Sequence, residues 1–359
     1  PSRTLTFYLA RLFITRILAV LLMLVMVLQV LDLLGESGDI LAYSGNGQMQ
    51  LLYYVSLRVP QLVARFLPYS VLLATIITLA TLNQNSEVIS MKAAGLSAHQ
   101  VLAPLMLAAF AISSISFAFN ERVVTRATAA LDAWHAVDYG PLPRDSGVRS
   151  NLYLSNGRAL MMAKTLTGTG ADMVMTGVTF YRRDANDMIV EQLRSPRATY
   201  ANPGWTLENP VRFEVEGTRT TEIPSATVAP GITPSKVTLS KVDADSENIF
   251  KLAGSIKAMK VAGQRTSTLE AAWWHKISGP LSSTLMPLLG AVAAFGLARS
   301  GQLLIRAVIG MALGFAYFVF DNAALAMGNF GGYPPLVAAW APFVLFALIG
   351  ETVLVRTEE

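Results

Sequence analysis

Residues 17–34 read Ile17-Leu18-Ala19-Val20-Leu21-Leu22-Met23-Leu24-Val25-Met26-Val27-Leu28-Gln29-Val30-Leu31-Asp32-Leu33-Leu34. Asp32 is the one ionisable side chain in the run. A helix needs about 20 apolar residues to cross ~30 Å of hydrocarbon, and the helical frame here starts earlier, near Phe7. Arg3, Arg11 and Arg16 precede the apolar run, as in a signal peptide. The run is longer than a signal-peptide core, however, and no small-x-small cleavage site follows it. The sequence therefore predicts an uncleaved membrane-spanning helix.

Five further segments repeat this texture, at 59–82, 101–119, 277–298, 303–327 and 336–355, giving six expected spans. Pro60, Pro68, Pro104, Pro280, Pro287 and Pro342 fall within or near them, where membrane helices tolerate kinks. The composition agrees: 53% of the 359 residues are hydrophobic and 14% are charged, against about 25% charged in a soluble domain. Most of the charge lies in residues 122–270, so the chain is built for two solvents. A sequence pI of 9.3 is ordinary for a membrane protein, a class whose Lys and Arg often collect on cytoplasmic loops, and does not call for nucleic-acid binding. With no cysteine, disulfides and thiol chemistry are excluded.

The short loops set the orientation. With both termini in the cytoplasm, that side receives Arg3, Arg11, Arg16, Lys92, Arg299 and Arg356, with Arg306 one turn into the fifth helix. The other face offers Arg58, with Arg65 just inside the second helix, and an uncharged loop at 328–335. This bias puts the insertion at 123–265 outside. The expected organisation is helices one to three in 1–122, a water-exposed domain with helical linkers in 123–265, and helices four to six in 266–359. Residues 123–137 read as a continuation of helix three. Strand-like runs follow at 151–154, 158–163, 177–181, 188–192, 197–200 and 211–215. Ser155-Asn156-Gly157, Asp184-Ala185-Asn186-Asp187 and Asn202-Pro203-Gly204 separate them as turns, and the pattern predicts a β-sandwich or jelly roll. Ile249, Leu252, Ile256 and Met259 recur at helical spacing within 246–263.

No G-x-x-x-x-G-K-[ST] phosphate loop, H-E-x-x-H or G-x-S-x-G motif occurs in the sequence. His99, His135 and His275 are scattered, so no shared metal site is expected. Ionisable residues in or beside spans are costly and are weighed singly. Asp32 and Asp321 lie near the outer ends of helices one and five, as interfacial residues or as cavity or gate residues. Glu121 and Arg122 end helix three, where a water-exposed helix end suffices. Trp273, Trp274, His275 and Lys276 open helix four, as an aromatic belt with a snorkelling lysine or with Lys276 on a phosphorylated headgroup.

The connection between helices two and three reads Asn85-Ser86-Glu87-Val88-Ile89-Ser90-Met91-Lys92-Ala93-Ala94-Gly95-Leu96-Ser97. Ser86 stands where a helix N-cap is expected and Gly95 where a C-cap is expected. Val88, Met91 and Ala94 share one face. A short helix near 86–96 along the inner membrane surface could dock a soluble partner, or could be a plain connector.

At this segment the chain resembles the lipopolysaccharide-export permease family, the paired F-type and G-type subunits of the Lpt system. Leu67-Pro68, Asp32, Trp205-Thr206-Leu207, Arg299-Ser300-Gly301, Pro334-Pro335 and Ala339-Trp340 also fit, as does the order of three helices, outer β-domain and three helices. The second helix and the connection are closer to the G-type. The resemblance implies a heterodimer with a homologous permease in the bacterial inner membrane. It implies a periplasmic β-jellyroll inserted between helices three and four, feeding a bridge of similar jellyrolls. It further implies a cytoplasmic ATPase dimer that binds ATP and Mg, while this chain holds no cofactor or metal and is not an enzyme. On that likeness, Glu87 with Ser86, Met91 and Gly95 would contact the ATPase. Some G-type members carry lysines near the outer end of helix one that meet lipid phosphates. Here that stretch is Gln29-Val30-Leu31-Asp32-Leu33-Leu34-Gly35-Glu36, so Arg65, Arg122, Arg126 and Lys276 are the candidates instead. The rival expectations are an ABC-associated mechanotransmission protein, whose periplasmic domain moves but carries no lipid, and a membrane-embedded enzyme acting on lipid, which should show clustered carboxylates or histidines near one interface.

Overall fold

The computed structural model describes residues 3–141, 149–156, 159–168, 170–186, 188–215, 219–234, 237, 242–261, 263–295 and 303–356. Helix α1 runs Arg3–Ala42 and α2 runs Gln48–Gln84. At 40 residues, α1 is about 60 Å long, twice the hydrocarbon thickness. It extends beyond the apolar run because its polar tip is tied down. Tyr139 Oη donates to Glu36 at 2.7 Å, and Asn46 Nδ2 donates to the carbonyls of Ile40 (2.8 Å) and Tyr139 (2.9 Å). Ile40, Tyr54, Leu131, Trp134 and Tyr139 pack together beneath these bonds. Burial and the bond to the Glu36 carboxylate hold the Tyr139 phenol far above its ordinary pKa.

The short α3, Glu87–Ala93, leads into α4, Ala98–Phe119. A π-helical turn, Asn120–Val124, joins α4 to α5, Thr125–His135, making the expected continuation of helix three a single rod. After the sheet come α6 (Ile249–Val261), α7 (Ser267–Phe295), α8 (Leu303–Asn329) and α9 (Pro335–Arg356). Among the described residues, five helices are long and apolar enough to cross a membrane: Arg3–Ala42, Gln48–Gln84, Ala98–His135, Ala307–Asn329 and Pro335–Arg356. The expected span at 277–298 falls on α7 and runs past its last described residue. Arg299-Ser300-Gly301 likewise lies outside the described residues. α7 packs among α2, α4, α8 and α9, contributing Leu285, Met286, Leu288, Leu289 and Ala291 to the core shared with Phe13, Val71, Leu105, Tyr317 and Phe346. α2 and α8 approach so closely that a Cβ on Gly314 would strike Leu72.

The separate domain is an eight-stranded antiparallel sheet in the order β1-β2-β3-β4-β5-β8, with β6 joining β4 to β7. Its strands are β1 (Arg149–Asn156), β2 (Ala159–Thr167), β3 (Val174–Arg183), β4 (Ile189–Ala201), β5 (Gly204–Glu208), β6 (Val211–Glu214), β7 (Arg219–Glu222) and β8 (Ser225–Val228). The runs expected at 188–192 and 197–200 are one strand, β4. Its first half pairs with β6 from Glu191↔Glu214 to Arg194↔Val211, and its second half with β5 from Arg197↔Glu208 to Ala201↔Gly204. Pro196, which lacks an N–H, sits where the partner changes, so no ladder bond is lost. Ser195 Oγ lies 2.6 Å from the carbonyl oxygens of both Arg197 and Glu208 at this junction. Leu152, Met161, Met175, Val178, Ala198, Trp205 and Leu207 form the buried face.

Candidate functional site

The α3 connection is built from its two ends. Ser86 occupies the N-cap position, but in the left-handed region (φ 59°) and without a side-chain capping bond. The capping chemistry belongs instead to α4, where Ser97 Oγ accepts from Gln100 N at 3.2 Å and Gln100 Oε1 accepts from Ser97 N at 3.2 Å. At the other end Gly95 N donates to Lys92 O at 2.9 Å and Leu96 N to Met91 O at 3.1 Å. That pair of bonds is a Schellman motif with Gly95 in the left-handed position, φ 86°. Gly95→Ala is expected to cost about 1–2 kcal/mol. All of it would be backbone strain, since an added Cβ meets nothing within 4 Å. The thermal midpoint of the purified chain checks it.

Val88 and Met91 are buried in the helical core, while Ala94 is exposed. The apolar face therefore holds α3 to its own bundle. The opposite face offers Ile89, 62% exposed, with exposed Ser90 and Ala93 beside it. Ile89 is the member of this surface that the sequence reading did not single out; an apolar residue falling off the Val88–Met91 stripe was its only signal. Glu87 opens α3 half-buried, its Oε2 accepting from Tyr8 Oη of α1 at 3.2 Å. At this end of the bundle His99 Nε2 also stands 2.8 Å from Glu351 Oε1 of α9.

The ionisable residues near the other end divide into paired and exposed. Asp32 takes a two-pronged bond from Arg58 at 2.8 and 3.0 Å, and Tyr54 Oη donates to it at 2.6 Å. This joins α1 to α2. Asp321 of α8 meets His275 Nε2 of α7 at 3.0 Å, and its second oxygen is buried without a protein partner. Lys276 does not snorkel outward. Its side chain is 7% exposed and its Nζ lies 3.5 Å from Glu121 Oε1, on a carboxylate 12% exposed. Glu121, placed by the π turn, also accepts from Ile249 N at 2.5 Å, while Trp273 Nε1 donates to Ile249 O at 3.0 Å. The helix end expected to face water is thus the dock for the start of α6. Arg65, Arg122 and Arg126 are exposed, the last two four residues apart on the rod. The three histidines meet different neighbours, His135 lying against the Tyr139 ring.

The arrangement gathers no group of three or more His, Cys, Asp or Glu side chains that could hold a metal ion among the described residues. It has instead a helical bundle with an apolar exterior, a polar girdle, a sheet on one connection and a short exposed helix on another. Two curated relatives share this length. The chain is 26% identical to the protein named lipopolysaccharide export system permease protein LptG of Escherichia coli (strain K12), over 371 residues covering 99% of each chain. It is 24% identical to the protein of the same name from Haemophilus influenzae, over 306 residues and 84% of each. Residues 7–356 match the family described as lipopolysaccharide export system permease LptF/LptG, and a match across nearly the whole chain places this protein in that family.

Proposed function

We propose that the chain is the G-type permease subunit of an exporter that lifts lipopolysaccharide from the outer leaflet of the bacterial inner membrane. The end-to-end family match, with relatives named for lipopolysaccharide export, carries this reading. In it, six helices span the membrane, both termini are cytoplasmic, and the sheet is a periplasmic jellyroll leading to a bridge of similar domains. A homologous F-type permease closes the other half of the cavity. A separate ATPase dimer holding ATP and Mg docks on α3.

The physical problem is apolar area, since each methylene brought into water costs ~0.8 kcal/mol. A cavity lined by helices and continued by an apolar β-groove avoids that exposure. The outward faces of α1 (Leu18, Leu22, Met26) and α8 (Phe315, Val319) are apolar and exposed, which suits a wall against lipid or a second permease. Of the four candidate cations for lipid phosphates, Arg65, Arg122 and Arg126 are exposed and Lys276 is paired with Glu121. The complex purified with its co-expressed neighbours is expected to carry lipopolysaccharide, read by mass spectrometry of lipid A. A complex bare of that lipid would contradict transport.

Glu87 is the residue assigned to the ATPase contact, with Ser86, Met91 and Gly95 shaping its helix. Glu87→Ala is expected to weaken ATPase co-purification by more than about 2 kcal/mol, as for an interface hot spot, while the chain stays in the membrane. Tyr8→Phe removes only the internal hydrogen bond and should leave the association intact. Unchanged association of Glu87→Ala would defeat the assignment.

A further inference from the structure

α6 carries two unlike faces. Leu252, Ile256 and Met259 are buried, and the helix packs against α7. On the opposite side Phe250 is 86% exposed and Val261 84%. Gly254 and Lys257 lie between them, so the four share one stripe at helical spacing. Lys251 pairs with Glu247 at 3.3 Å and Lys260 with Glu270 at 3.0 Å on the flanks. Lys257 has no carboxylate partner among the described residues.

The depth of this stripe follows from its anchors. Arg265 donates to Phe330 O, and Ser267 and Thr268 lie 3.5 and 3.4 Å from Asn329 O. These contacts put the α6–α7 turn level with the α8–α9 turn. Ile249, at the start of α6, is held by Trp273 and Glu121. Trp273 is five residues beyond Thr268, about 8 Å further along α7 toward the bundle core. The Phe250 end of α6 therefore sits below the level of the loops, within the 5–10 Å that interfacial helices reach, and the helix rises from there to Val261 beside the turn.

We propose that the outer face of α6 lies in the headgroup layer of the membrane. Phe250 enters the acyl boundary, Val261 lies against the headgroups nearer the turn, and Lys257 between them meets lipid phosphates as an anionic lipid surface requires. A protein partner fits less well. The centre of the stripe is Gly254, where an added Cβ would meet nothing within 4 Å, and one aromatic flanked by cations is the pattern of an interfacial helix. The inference rests on the bundle being embedded in a membrane, and not on which lipid is carried.

The absence of cysteine allows a clean test in the full chain. Gly254→Cys carries a fluorophore, in nanodiscs of phosphatidylcholine with or without phosphatidylglycerol, and nitroxide lipids quench from the headgroup region. Leu348→Cys, on an exposed apolar position of α9, reports embedding of the bundle. Glu222→Cys, exposed on β7, reports water. Quenching at 254 should exceed that at 222 and rise with phosphatidylglycerol. It should fall toward the value at 222 when Phe250 and Val261 are both changed to Ser. Quenching at 254 no greater than at 222, with 348 quenched, would overturn the inference while sparing the membrane reading. Loss of quenching when the homologous permease is co-reconstituted would also overturn it, because the face would then be covered by protein. No quenching at 348 would remove the embedded bundle and this inference together.

Discussion

Glu121→Ala is expected to destabilise the bundle by about 3–5 kcal/mol, the cost of leaving a buried charge without its partner. Lys276 is 7% exposed, so water cannot replace the lost carboxylate without opening the junction of α4, α6 and α7. The same change orphans Ile249 N, whose bond to Glu121 is 2.5 Å long. The pair itself need not be strongly stabilising, because two charges had to be desolvated to form it. The double change Glu121→Met with Lys276→Met should therefore be far milder than Glu121→Ala alone. Thermal midpoints of the purified variants in one detergent check both statements. A single variant as stable as the parent would mean that Lys276 finds water, and that the ion pair is incidental.

The second large effect is expected in the sheet. Trp205 is fully buried on β5, and its Nε1 donates to Ile232 O at 2.8 Å. Its ring meets Tyr200 edge-on at a centroid distance of 5.5 Å. Trp205→Ala should cost the domain about 3–5 kcal/mol through the lost apolar burial and the cavity left behind. Because the sheet and the bundle have separate cores, the loss should be local. Limited proteolysis is then expected to cut the sheet of the variant while the helices stay protected and membrane-bound. Cleavage rates equal to those of the parent would contradict the central place of Trp205.

The helices were legible because lipid contact leaves a direct mark, a run of about 20 apolar side chains. Their ends were not. The apolar run stops at Leu34, and the helix continues past Glu36, which is bonded to Tyr139, 103 residues away. The runs at 188–192 and 197–200 read as two strands; they are one, and Pro196 is the point where it changes neighbours. β5 was hidden by the turn residues Asn202-Pro203-Gly204 before it, although Trp205-Thr206-Leu207 already stood out as a family match. The polar residues show the same limit. Trp273, Trp274, His275 and Lys276 look like one interfacial belt in the sequence. In the fold Trp273 serves Ile249, His275 meets Asp321 and Lys276 meets Glu121. No local spacing encodes those partners. The α3 connection was readable at Gly95, whose backbone needs a glycine, and misleading at Ser86, whose side chain caps nothing.

The whole account stands on the sheet and α3 facing opposite sides of one membrane. Impermeant maleimide added to spheroplasts reads this directly in the cysteine-free chain, with Glu222→Cys on β7 and Gln84→Cys at the end of α2, both exposed positions. Position 222 should react at once, and position 84 only after lysis. Reaction at 84 in sealed spheroplasts, with 222 silent until lysis, would invert the protein and contradict the transport reading.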